Sequence, residues 1–250
     1  MPTPSALKLP SRIGSQSIKR ARGAAPQPRA VQLFGVVPAE LAGRRFIVDG
    51  KAAAAVAYGN LALVIRDVDP GEWNPEDHNW IARQAAVHQR VLERAMHAGP
   101  VVPAGFCTVF RGREELDALV RNNGERWRKA LARLAGKQEW CLHVYWGPHV
   151  ASHFAPYVMR VAPASGNKLA LQGRNAAHLN ALSKACAALA SASRRIEPLP
   201  NPHYLFGATF LMRRARLREF RGVLLRFAGT ARELGLTYYL DGPHPPFTFA

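Results

Sequence analysis

Long apolar runs are missing from these 250 residues. The longest near-apolar stretch, residues 52–58, falls far short of the roughly 20 residues that cross a bilayer, so no membrane association is expected. No apolar h-region follows the first basic residues, and a soluble, cytoplasmic protein is the expectation. Cysteine is scarce: Cys107, Cys141 and Cys186 are odd in number and far apart. That excludes a disulfide framework and leaves them as small buried hydrophobes. Acid is scarce too, with 17 carboxylates against 34 lysines and arginines and a formal charge of +17. A Gly-rich phosphate loop, a nucleophile elbow and an HExxH pair are all absent. Nothing in the pattern supports catalysis, and no cofactor or metal is expected.

What is present begins with the charge. Such a balance favours anionic partners, whether nucleic acid, a membrane surface or an acidic protein face. The plainer reading is that arginine, abundant in a GC-rich coding sequence, decorates solvated surfaces. Residues 1–29 hold six basic residues, no acid and no apolar period, and read as a disordered basic tail. No aromatic interleaves with them, so no base-stacking platform is evident.

Order is predicted from residue 30. Strands are expected over 31–37, 45–48, 53–58 and 61–68, the second and third joined by Asp49-Gly50. A helix follows, with Asn74 as cap, Pro75 in the first turn, Glu76 and Asp77 favouring the dipole, and Gly99-Pro100 as the stop. Ile81, Ala85, His88, Leu92 and Met96 share one face of it. Residues 101–110 read as extended and mostly buried, and a second helix runs over 114–135. A new unit starts near Glu139, with a strand at 140–146, an Ala-rich helix at 169–194, a strand at 204–212, a helix at 216–234 and a last strand at 236–240. The expected fold is α+β: two domains of short mixed sheets flanked by helices, 30–136 and a ferredoxin-like 137–241, followed by a Pro-rich tail at 242–250.

Three segments in order carry a family resemblance. They are His88-Gln89-Arg90-Val91-Leu92 leading into Val101 to Phe110, the Glu-bearing Glu139-Trp140-Cys141-Leu142-His143-Val144, and Gly242-Pro243-His244-Pro245-Pro246-Phe247-Thr248-Phe249. Together they resemble the gas vesicle protein F/L family over roughly residues 30–250. The resemblance implies two α+β domains and a part in vesicle assembly, in association with the hydrophobic shell protein and other accessory proteins. It also implies localisation to the gas vesicle. The sequence departs from the pattern at His244, where Trp is usual, at Cys107, where Gly is usual, and at Gly166-Asn167-Lys168-Leu169, which lacks an aromatic-Leu pair. The basic tail is a fourth departure.

The C-terminal segment is the leading candidate contact. Pro243, Pro245 and Pro246 stiffen it, and Phe247 and Phe249 provide apolar anchors, with His244 between. It either catches a partner or folds back between the two domains. Folding back is favoured, because both rings are otherwise exposed. Arg214, Arg218 and Arg221 lie mostly off the apolar stripe of the last long helix and form a candidate basic face; a basic nucleic-acid-binding protein is the alternative function. His88, on an apolar face, reads as a core histidine. His149 and His153, with Cys141 and His143 upstream, fit no zinc spacing. Asp67, Asp69, Glu72, Glu76 and Asp77 form the densest acidic cluster, a candidate for a cation or an Arg-rich partner.

Overall fold

The computed structural model describes residues 30–147, 172–197 and 201–250. The basic tail, His149, His153 and the 166–169 loop lie outside the described residues. The first half consists of β1 (Ala30–Pro38), β2 (Arg45–Val48), β3 (Lys51–Tyr58), β4 (Leu61–Val68), α1 (His78–Ala98), β5 (Val102–Pro103), β6 (Val109–Phe110) and α2 (Arg113–Leu134). The second consists of β7 (Lys137–Trp146), α3 (Gln172–Ala187), β8 (Ala192–Arg195), β9 (Tyr204–Arg213), α4 (Leu217–Glu233) and β10 (Leu236–His244). The fold is α+β, as expected. Every pairing among the described strands is antiparallel, so the sheets are not mixed.

The first sheet has the order β2-β3-β4-β1-β5, with β6 also on β1. Both of its faces are covered. Phe34, Val37 and Val64 pack on Leu92, Ala95 and Met96 of α1. Leu33, Leu61 and Leu63 pack on Leu116, Leu131 and Leu134 of α2. Burial on both faces is why β1 and β4 read as near-continuous apolar runs and not as alternating ones. Each fully buried Leu or Phe contributes about 1.5–3 kcal/mol of transfer free energy. The Asp49-Gly50 turn has both residues at positive φ, 49° and 74°, the primed geometry that closes a tight hairpin.

The second sheet has the order β10-β7-β9-β8. Helices α3 and α4 bury one face through Leu142, Phe206, Phe210, Leu182, Phe220 and Leu224. The element order β7-α3-β8-β9-α4-β10 is the ferredoxin-like βαββαβ plan.

Four expectations are corrected. Helix α3 stops at Ala187, and residues expected to continue it form strand β8 instead, paired with β9 from Ala192–Leu211 to Arg195–Ala208. Tertiary pairing overrides the Ala-rich helix propensity there. Helix α1 is capped by Asp77, whose carboxylate accepts from the Asn79 amide at 2.8 Å; Asn74 lies outside it. Of the predicted stripe, His88, Leu92 and Met96 are buried but Ala85 is exposed, because only the later turns of α1 meet the sheet. Residues 101–110 are not one buried extended run: β5 and β6 flank a turn, and Phe106 is 39% exposed.

Candidate functional site: the C-terminal strap

The last strand does not end at residue 240. Strand β10 continues through a cis Gly242-Pro243 bond to His244, with a register shift between Asp241 and His244. Pro243 has no N–H to give the ladder, so the shift falls where pairing is already interrupted. Gly242 is required here. Its φ is +138°, and a Cβ would come within 2.9 Å of the Glu139 carbonyl and the Trp140 ring.

Beyond His244 the chain folds back as a strap. Pro245 and Pro246 are buried. Thr248 is fixed by Glu139 of β7: its amide donates at 3.0 Å and its hydroxyl at 2.9 Å to the two carboxylate oxygens. Phe249 packs against the cluster formed by β1, β4 and α2, and its carbonyl accepts from the Arg133 guanidinium. The two phenylalanines therefore part company. Phe249 is half-buried, while Phe247 is 47% exposed.

Charge organises the same corner. Burial pushes the Glu139 carboxyl up, and the Thr248 bonds and the His244 charge pull in the opposite direction without cancelling it. His244 Nε2 lies 2.9 Å from Asp241. That hydrogen bond raises the His244 imidazole above its usual range and lowers the Asp241 carboxyl. Where the family resemblance leads one to expect a Trp, a histidine bonded to Asp241 of the same strand stands in its place.

The halves also meet through α4's approach. Arg214 donates to the Met96 carbonyl at the end of α1, at 3.1 Å, and Leu211 of β9 joins the apolar cluster under α2. The three arginines of the expected basic face separate: Arg214 makes that contact, Arg221 sits 5.4 Å from the Trp140 ring centroid, and Arg218 is exposed. His88 is a core residue, stacked on Phe34 and donating through Nε2 to the Ala104 carbonyl at 3.2 Å. Burial lowers its pKa, which favours the neutral ring. Cys141 contacts the Thr209 hydroxyl at 3.8 Å, and burial raises its thiol to about 11. His143 is buried beside the Tyr204 ring. The acidic cluster is divided among local tasks. Asp69 holds the Gly71 amide, Glu72 pairs with Lys51, and Asp77 caps α1. Among the described residues, no three His, Cys, Asp or Glu side chains converge as a metal site needs.

Sequence reasoning missed the partners of the strap. Glu139 was visible as an acid in an apolar strand, an unusual placement that asks for a partner, but nothing local pointed to Thr248. Cys107 held a clearer signal. Its φ of 61° is in the left-handed region, which explains why Gly is the expected residue there.

Comparison with known proteins agrees with this architecture. The family described as "Gas vesicle synthesis protein GvpL/GvpF" matches residues 30–250. Gas vesicle protein L from a Streptomyces species is 25% identical over 230 residues, which cover 81% of this chain and 85% of that protein. The crystal structure of GvpF from an Anabaena species superposes with a TM-score of 0.70 at 15% identity, covering 89% of this chain and 98% of that one. GvpF from Microcystis aeruginosa gives 0.66 at 13% identity, covering 88% and 98%. The two structures establish a shared fold, and the match over residues 30–250 establishes kinship: this chain belongs to the GvpL/GvpF family of gas vesicle proteins.

Proposed function

We propose that the protein acts in gas vesicle assembly as a non-enzymatic partner of the hydrophobic shell protein and of other accessory proteins. The observation that carries this reading is the family match from residue 30 to residue 250, which takes in both sheets and the strap. An aggregation-prone shell subunit needs partners that cover apolar surface or template ordered growth, and this chain offers two means of doing so. Phe247 is a large ring held out on a strap whose neighbours on either side are buried or bonded, so little conformational entropy is lost when it docks. Arg218, on the outer face of α4, is the basic element of the same proposal. In this reading 30–136 and 137–241 act as two domains joined by the 242–250 strap.

The test is co-expression with the shell protein, followed by capture of tagged protein at moderate salt. Retention of the shell protein is expected, with reduced retention by Phe247→Ala at unchanged thermal stability. Failure of the unaltered chain to retain it overturns the reading. Binding of nucleic acid that falls steeply with salt, without shell-protein retention, selects the alternative in its place.

A further inference from the structure

Strand β8 is the outer strand of the second sheet beyond β9, and all four of its residues are exposed. The Ile196 amide donates to the Gly207 carbonyl at 2.9 Å, which fixes the phase of the ladder. In an antiparallel pair inward and outward residues alternate, so Arg194 bonds toward β9 while Ser193 and Arg195 turn their backbone N–H and C=O groups to the open side. Beside this edge lies a pocket of about 260 Å³ between α3 and the start of β9, lined by Asn175, Leu179, Asn180, Arg195, Leu205 and Phe206. Asn175 is only 7% exposed, and its side-chain oxygen has no hydrogen-bond partner among the described residues. A buried acceptor left unsatisfied costs on the order of 1–3 kcal/mol, and a docked donor would satisfy it. The pocket is otherwise apolar at Leu179, Leu205 and Phe206, and Leu205 is 36% exposed. Arg195 lies over the Phe206 ring, 5.3 Å from its centroid, at the pocket rim.

We propose that β8 and this pocket receive an extended, acidic segment of a protein partner, which joins the sheet as a fifth strand and places a hydroxyl or amide side chain against Asn175. Strand addition supplies affinity through main-chain bonds to Ser193 and Arg195, and the pocket supplies selectivity. Charge decides the occupant. Arg194 and Arg195 make no ion pair among the described residues; being adjacent in the strand they point to opposite faces of the sheet, so a segment with carboxylates on both of its faces matches them. A second copy of this chain does not, because its β8 brings two arginines and no carboxylate to the joint edge. The source of the segment, a vesicle protein, rests on the assembly reading above; the chemistry of the edge does not.

The experiment is NMR titration of the full chain with a synthetic peptide of about eight residues in which a Glu-Glu pair stands on each side of a central Thr, so that carboxylates lie on both faces. The control peptide has Lys for Glu. Shifts and slowed exchange at the Ser193 and Arg195 amides are expected with the Glu peptide, and binding at least about tenfold weaker with the Lys peptide. Ser193→Pro removes an outward N–H without touching the β9 ladder, and it is expected to abolish the response. Arg195→Glu leaves the backbone intact and Arg194 in place, and is expected to remove the preference between the two peptides. No perturbation at β8, or an equal response to both peptides, overturns the proposal. In co-expression, equal retention of vesicle proteins by Ser193→Pro and the unaltered chain, with a silent titration, overturns the edge alone. Loss of retention by the unaltered chain overturns the assembly reading and leaves the peptide result standing.

Discussion

Strand β10 closes one side of the second sheet with the run from Leu236 to Leu240 entirely buried, whereas β8 closes the other with four exposed residues. The first edge is long and apolar, the kind that pairs with stray chains, and it is finished by Pro243, a register shift and a strap bonded to Glu139. The second is short, carries two arginines, and has no further strand beside it among the described residues. The two outer strands thus differ in kind: the apolar one is buried, and the one that carries arginine is exposed.

The comparison can be broken hardest at the strap. Deleting residues 242–250 uncovers the Trp140 end of β7 and leaves the buried Glu139 without its Thr248 donors. It is expected to cost about 3–5 kcal/mol, read as a fall in the urea midpoint at constant slope. A loss below about 1 kcal/mol would show that β10 needs no strap. Thr248→Val keeps the shape and the amide bond and removes only the hydroxyl, for an expected loss of about 1.5 kcal/mol.

Acidity separates the edges further. His244 titrates above 6.5 in the fold, so its contribution is complete below 6.5 and is lost as pH rises through its raised value. Asp241 is lowered, so its contribution is present above 3.8 and is lost as pH falls through its depressed value. The clasp is tightest between those limits. His88, His143 and His178 are all lowered by burial and act in the opposite sense, destabilising the whole fold as pH drops below 6.5. A local probe is therefore needed: the His244 ring titration by NMR should move down in Asp241→Asn. An unchanged midpoint would remove the ion pair from the account. The smallest effect is expected at the open edge, where Ser193→Pro should change stability by no more than about 0.5 kcal/mol in thermal unfolding. A large loss there would mean that the sheet depends on β8 as heavily as on β10.

Much of the first half was legible from periodicity. Strands β2 and β4 fall where alternation or unbroken apolarity put them, and α2 differs from its expected span by one residue at each end. Strand β8 was invisible because Ala-Ser-Arg-Arg has no β-branched or aromatic residue, and only β9 makes it a strand. The start of α1 was misplaced because Asn74 and Asp77 are both good caps, and the choice is made by where the helix can reach the sheet. Of the candidate site, the prolines and both rings were readable. Which ring is buried was not, because that depends on Arg133 and the α2 cluster. The Asn175 pocket had no sequence signal, since an unsatisfied amide is a property of packing alone.

The bond from Thr248 to Glu139 joins residues 109 apart in sequence, whereas β2, β3 and β4 follow one another through tight hairpins. Closing a loop of that size costs chain entropy before any contact is gained. The first sheet can therefore form from neighbouring segments, while the strap must wait for β7, β9 and β10 to align. On loop-closure grounds it is expected to close after both sheets have formed. A chain with its strap undone still has both sheets, but Glu139 and the Trp140 end of β7 are uncovered, so residues 242–250 stand between the finished fold and the state most exposed to wrong pairing.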